Sequence, residues 1–270
     1  MKTDRKKKNP AGTLLVIILI AAALLFALQR GGNGDILSFF TDQAADDKSM
    51  SYAREMVAAF AEEKGINVDA WPDELIRLLA GNRDTRDFVL NYPLEKDLTH
   101  AVDLEEYVHS ETVPLLFQWD RRWGYREYGN ELMGLSGCGP TCLSMVCLYL
   151  LRDAVYTPGY IAEFAERNGY CSPGNGSEWT LISVGGRELG LDVVEIPLDE
   201  ARIIRNLEAG NPIICVMGPG DFTSTGHFVV MTGYAVGKIQ INDPNSPARS
   251  RMLWDYDAIK DQIRNLWACR

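Results

Sequence analysis

Residues 138–151, CGPTCLSMVCLYLL, are apolar around almost the whole circumference of a helix. A helix on the outside of a domain carries one apolar stripe, whereas one that is apolar all round has to be enclosed by other elements. The chain must therefore build a domain around this segment, and the residues after it supply the material. Residues 161–168 and 181–189 read as helices, and 192–196 as a short strand. Residues 212–217, 227–236 and 238–242 read as the clearest strands, the last two joined by a tight turn at Val236-Gly237. Helices first and antiparallel strands afterwards predict an α+β domain. Residues 257–266 are expected to return as a helix whose apolar stripe is core.

Ahead of this domain, placed at residues 110–270, lies a region with no chemical signature. Tyr52, Met56, Val57, Phe60 and Ala61 form one apolar stripe that stops near Gly65. A second helix is expected from Pro72-Asp73, carrying Leu75, Leu78 and Leu79. A third has Thr85 as its N-cap, Phe88, Val89 and Leu90 as its buried side, and Pro93 as its end. Residues 50–95 are therefore read as a small helical region, a spacer packed on the main domain. A docking or inhibitory role over its cleft is the alternative.

At the amino end, Lys2, Arg5, Lys6, Lys7 and Lys8 precede an uncharged apolar run over residues 14–28. Fifteen helical residues reach about 22 Å, short of an about 30 Å hydrocarbon core unless flanking residues help, so the run fits a signal peptide or a short anchor. No small-residue cleavage triplet follows it, which favours an uncleaved transmembrane anchor over residues 13–29. The basic tail, residues 1–12, then stays in the cytoplasm and the remainder faces outward, with residues 30–49 as a linker that begins the first helix. Secretion after cleavage is the alternative.

The first thirty residues hold six of the 27 Lys and Arg and one of the 37 Asp and Glu, so the rest is strongly acidic. That balance gives no footing for nucleic acid and suits a dispersed soluble domain. The six cysteines are not spaced like a small stapled scaffold. Cys142 and Cys147 read as buried thiols, and only Cys171 and Cys269 are candidates to pair.

Ser136-Gly137-Cys138-Gly139-Pro140-Thr141 puts Cys138 at the start of the enclosed helix. Unpaired N–H groups and the positive end of the helix dipole stabilise a thiolate there. A thiolate nucleophile needs a base, and His100 and His109 precede the domain, which leaves His227 in Gly226-His227-Phe228-Val229-Val230. A hairpin turning at Val236-Gly237 returns Asp243 to the same sheet end as His227, where a carboxylate could fix the imidazole tautomer. Asp243-Pro244 is equally an ordinary turn dipeptide, and Asn242 competes for the role, because neighbours on a strand face opposite ways. Oxyanion donors would be the Cys138 backbone N–H and a second group, for which Gln118 is a candidate if it is not simply a solvent-facing loop residue. There is no H-E-x-x-H, C-x-x-C, G-x-x-x-x-G-K or G-x-S-x-G, so no metal or other cofactor is expected.

Residues 112–245 resemble the bacterial peptidases related to the double-glycine-leader, bacteriocin-processing peptidases, which are papain-like cysteine peptidases. The likeness rests on Val113-Pro114 with Gln118, Asp120 and Trp123, on SGCGPT at 136–141, on GHFVV at 226–230 and on Asn242-Asp243-Pro244. It implies a papain-like fold, with Cys138 as nucleophile, His227 as base, Asp243 as its orienter and Gln118 as oxyanion donor. Asp120 and Trp123 are expected to hold the Gln118 loop, and Gly218-Pro219-Gly220 to flank the cleft. The expected function is a membrane-anchored, extracellular cysteine peptidase-like hydrolase acting on a peptide, protein or cell-wall substrate. The alternatives are a cell-wall amidase or acyl transferase with the same triad, and a silent binding module of the same fold.

Overall fold

The computed structural model describes residues 33–174 and 176–270, with side chains from residue 47 onward. The expected basic tail and membrane anchor lie outside the described residues, among which no helix is long and apolar enough to cross a membrane. Most of the stretch read as a linker is helical, since α1 runs over Asn33–Lys64. It is followed by α2 (Asp73–Gly81) and α3 (Arg86–Glu95). Pro93 sits inside α3 rather than after it. The ladder bond it cannot donate falls within the last turn, and the Lys96 N–H still caps the helix on the Tyr92 carbonyl.

The three helices bury Ala53, Val57, Leu75, Leu79, Phe88 and Val89 among themselves, and then continue into the main domain through Tyr125, Trp119 and Leu135. The Phe88 ring stacks on Tyr125 with centroids 4.5 Å apart, and the Tyr125 hydroxyl donates to the Phe88 carbonyl at 2.8 Å. A side chain at Gly134 would overlap the Phe88 ring, with a Cβ only 2.5 Å from Cζ, so this contact requires a glycine.

The central helix, α4 (Cys138–Leu151), is enclosed as its composition demands: its residues 139–148 are all buried. It packs on α5 (Pro158–Arg167) and on one face of a six-stranded antiparallel sheet. The strands are β1 (Val193–Glu195), β2 (Ile213–Met217), β3 (His227–Ala235), β4 (Lys238–Asn242), β5 (Leu253–Trp254) and β6 (Ile263–Cys269), in the spatial order β1-β6-β2-β3-β4-β5. Ile214, Val216, Phe228, Val230 and Trp267 face α4, whereas Cys215, Met217, Val229, Met231 and Leu266 form a second core on the other face. That second core is covered by α6 (Glu200–Glu208), which turns Ile203 and Leu207 inward, and by Ile259. Asp199 caps α6 by accepting the Arg202 N–H at 2.8 Å, and this helix was not among those expected from the sequence.

Three other expectations are corrected. Residues 257–266 are not a helix: only Tyr256–Ile259 and the turn Lys260–Gln262 are helical, and the chain then enters the sheet as β6 between β1 and β2. A strand buried on both faces loses the polar alternation that identifies one, and Ile259, Ile263 and Leu266 imitate a helical stripe. Residues 181–189 form a π turn at Leu181–Gly185 followed by Gly186–Glu188 rather than one regular helix. Cys171 and Cys269 are not paired: Cys269 is buried in β6, Cys171 lies in a ribbon beside the cleft, and all six cysteines are free. Cys142 and Cys147 are fully buried, as expected.

The hairpin between β3 and β4 turns at Val236-Gly237, both with positive φ (48° and 79°). Such primed turns match the right-handed strand twist, and here they send β4 back along β3. The return ends with Asn242 opposite Val230, so the next residue, Asp243, leaves the sheet at the level where β3 begins.

Candidate active site

Cys138 is the first residue of α4, behind Gly137, and its side chain is partly exposed in a cleft of about 730 Å³. The local fold follows from the sequence. The Thr141 hydroxyl and N–H both bond the Gly137 carbonyl, closing the first turn, while Pro140 contributes no N–H where none is needed. A side chain at Gly139 would run into Ser177, whose hydroxyl is 2.7 Å from that of Tyr128. That network holds the ribbon Cys171–Ser172 and Gly176–Ser177 against the helix start.

His227 opens β3, paired with Met217 of β2, and is buried at 8% exposure. One ring nitrogen, Nε2, lies 2.8 Å from Asp243 Oδ1, and the imidazole lines the same cleft as the Cys138 thiol. With Nε2 committed to Asp243, Nδ1 is the nitrogen left for the thiol. Burial pushes the Cys138 thiol up, but the hydrogen bond and charge of His227, with the N–H groups of Phe228 and Gly139, bring it below its ordinary value. Burial alone would lower the imidazole, and the charge and hydrogen bond of Asp243 outweigh it, raising His227 to about 10. The two shifts describe one coupled pair, thiolate beside imidazolium, and their directions agree.

Asp243 is fully buried and each of its oxygens is bonded. Oδ1 takes His227 and the Asn245 N–H at 2.7 Å, and Oδ2 takes Arg249 Nε at 2.5 Å. Burial raises its carboxyl, and His227 and Arg249 outweigh that, leaving it below the usual carboxylate range. The choice between Asp243 and Asn242 is settled by their opposite faces. Asn242 turns towards α4 and donates to the carbonyls of Val113 and Pro114, both at 3.1 Å. Sequence reasoning missed Arg249, because nothing in Pro247-Ala248-Arg249 marks a guanidinium that folds back six residues.

Gln118 stands beside the cleft although twenty residues separate it from Cys138. Its backbone N–H donates to the Pro244 carbonyl at 2.8 Å, which ties its loop to the Asp243 turn. Its Nε2 donates to the carbonyls of Gly134 and Leu135 at 3.0 and 3.1 Å, while Oε1 is buried without a partner. Asp120 and Trp123 hold this loop as expected. Asp120 takes Arg122 through both oxygens, and Trp123 Nε1 donates to the Phe117 carbonyl at 2.9 Å. The loop that Gly218-Pro219-Gly220 opens reaches the cleft through Phe222 and Thr223, which line it, and not through those three residues themselves. No residue of 50–95 lines the cleft, so the helical region stands beside it and not across it.

A thiol, a buried imidazole and a buried carboxylate thus meet where a helix start faces a sheet end. The model of the Peptidase C39-like family matches residues 110–269. The chain belongs to that family. Among solved structures, the C39-like domain is similar to the peptidase domain of Streptococcus ComA, a bi-functional ABC transporter involved in a quorum-sensing pathway. That likeness is at 18% identity over 49% of this chain and 89% of the other, with a TM-score of 0.40. It is also similar to a putative C39-like peptidase from Bacillus anthracis, at 17% identity over 58% and 94%, with a TM-score of 0.38. In a comparison with curated proteins nothing matches. The antiparallel sheet and the cysteine-bearing helix packed on it fit the papain-like fold of this peptidase-like family.

Proposed function

We propose that this protein is a cysteine peptidase whose C39-like domain cleaves a peptide or isopeptide bond through Cys138, His227 and Asp243. The observation that carries the reading is His227 Nε2 at 2.8 Å from the buried Asp243 Oδ1, with the ring and the Cys138 thiol lining one cleft and each drawing the other towards its charged form. The Cys138 thiolate attacks the substrate carbonyl, and the oxyanion that develops is met by the N–H at the start of α4. His227, as imidazolium, then gives its proton to the leaving amine, and the acyl-enzyme is released by water that His227 deprotonates. Asp243 keeps the proton on Nε2 and stabilises the imidazolium. The basic cluster and apolar run at the amino end support a membrane anchor that leaves this domain outside the cytoplasm.

The first test is alkylation of the purified protein by iodoacetamide, with Cys138→Ala as control. Cys138 is expected to react faster than the other five cysteines near neutral pH. Its rate should rise as pH climbs through the lowered thiol value and level off, with the imidazolium pairing lost as pH passes through about 10. A Cys138 no faster than the remaining thiols would sink the proposal. Gln118 is proposed as the second oxyanion donor, a role that requires its Nε2 to give up the Gly134 or Leu135 carbonyl when substrate binds. Gln118→Ala should lower kcat by roughly 10²-fold with little change in KM, read from peptide turnover. An equal loss in KM alone would assign it to substrate binding.

A further inference from the structure

The helical region has no chemical signature in sequence, yet one of its side chains reaches to within two residues of the catalytic carboxylate. Resting on the peptidase reading, we infer that Asn82 is a positioning residue for the triad. It acts through Asn245 on Asp243, so the helical region is a working part of the active site and not a spacer.

Asn82 sits just past the end of α2 and is held through both its side chain and its backbone. Its Oδ1 accepts the Asp84 N–H at 3.1 Å, capping the short turn Arg83–Thr85, while its backbone carbonyl takes the Thr85 hydroxyl at 2.7 Å. That fixes Nδ2, which donates to the Asn245 carbonyl, with Asn245 Oδ1 3.4 Å away as a second contact. The Asn245 carbonyl also accepts from Trp119 Nε1 at 3.1 Å. On the other side of the same Cα, the Asn245 N–H donates to Asp243 Oδ1 at 2.7 Å, the oxygen that faces His227 Nε2. The peptide unit carrying that N–H is held in turn by Gln118 N–H on the Pro244 carbonyl. Both dihedrals of Asn245 are thereby set from outside the turn, one from the C39-like domain and the other shared with the helical region. Phe88 packed against Gly134, whose carbonyl takes Gln118 Nε2, is a second contact of the helical region with the segment ahead of Cys138.

A residue that aims Asp243 Oδ1 sets how well the carboxylate holds the imidazolium. Loosening it should shift the pH behaviour of the pair and not only its abundance. The titratable or charged groups facing the His227–Asp243 pair are Cys138, Arg249 and Cys142, whose thiol burial pushes up so that it stays neutral.

The discriminating variant is Asn82→Asp in the full-length protein. It keeps the oxygen that caps Asp84 and removes the donor to Asn245. The readout is the rate of Cys138 alkylation by iodoacetamide across pH, below the melting midpoint of each variant, with turnover of a peptide substrate alongside. Weaker pairing lowers the His227 value, so the alkaline end of the thiolate–imidazolium range should move about one pH unit lower. Turnover should fall roughly tenfold in kcat with KM held. Asn82→Ala, which loses both cap and donor, should move the alkaline end the same way while melting earlier. An alkaline end and kcat equal to wild type in both folded variants would overturn the inference, as would a rate loss that only tracks unfolded protein. A wild type whose Cys138 is not activated would instead refute the peptidase reading on which the inference rests.

Discussion

Cys138→Ala should leave no measurable turnover in a peptide-library digest, and His227→Ala should lower kcat by about 10⁴-fold or more. The reason is that the two side chains act as one unit. The thiol is held below its ordinary value chiefly because the imidazole beside it opposes the effect of burial. Removing the ring leaves a desolvated thiol that stays protonated and a leaving amine with no proton donor. Cys138→Ala should leave stability close to wild type, since Cys138 is partly exposed at the cleft, whereas His227→Ala breaks a buried pair and should melt earlier, so its turnover is read well below its melting midpoint. A His227→Ala protein that still cleaves within tenfold of wild type would remove the base from the mechanism.

Asp243→Ala should damage stability as well as activity. The carboxylate is fully buried between the His227 ring and Arg249, so its loss strands two cationic groups around an apolar side chain. Breaking a buried pair from one side costs about 3–5 kcal/mol, on the order of 10 °C in melting temperature for a domain of this size. The pH dependence has a definite sign. Asp243 titrates below its unfolded value, so its contribution is complete above the ordinary carboxylate range and is lost as pH falls through the lowered value. His227 titrates above its unfolded value, so its contribution is complete below about 6.5 and is lost as pH rises through about 10. The gap in melting temperature between wild type and Asp243→Ala should therefore be widest near neutrality and narrow in strong acid and strong alkali. A constant gap across that range would mean that the loss is of packing and not of charge.

The residues of the proposed catalytic chain were legible because each had few rivals. A cysteine between two glycines at the head of an apolar helix is an uncommon arrangement, and with three histidines in the chain only one lay in the domain. Asp243 was narrower, since strand alternation separated it from Asn242 without saying which of the two faced His227. Arg249 and Asn82 were invisible for a physical reason. Their contacts are made by chain ends of loops and short turns, where no periodicity constrains direction, and the partners lie 6 and 163 residues away.

What the sequence by itself determined is what composition and local pattern control. The enclosure of α4, the hairpin at Val236-Gly237, the apolar stripes of the amino-terminal helices, and the thiol at a helix start all follow from which side chains water rejects and which dihedrals a residue tolerates. Thr85, expected to cap α3, instead gives its hydroxyl to the Asn82 carbonyl and leaves α3 without a side-chain cap. Only the tertiary structure decided that the last residues enter the middle of the sheet as β6. A strand buried on both faces carries no face-to-face contrast, so its neighbours and not its own pattern identify it. The tertiary structure alone also brought Arg249, Asn245 and Asn82 around Asp243, because the direction of a side chain in an irregular segment is fixed by what it packs against.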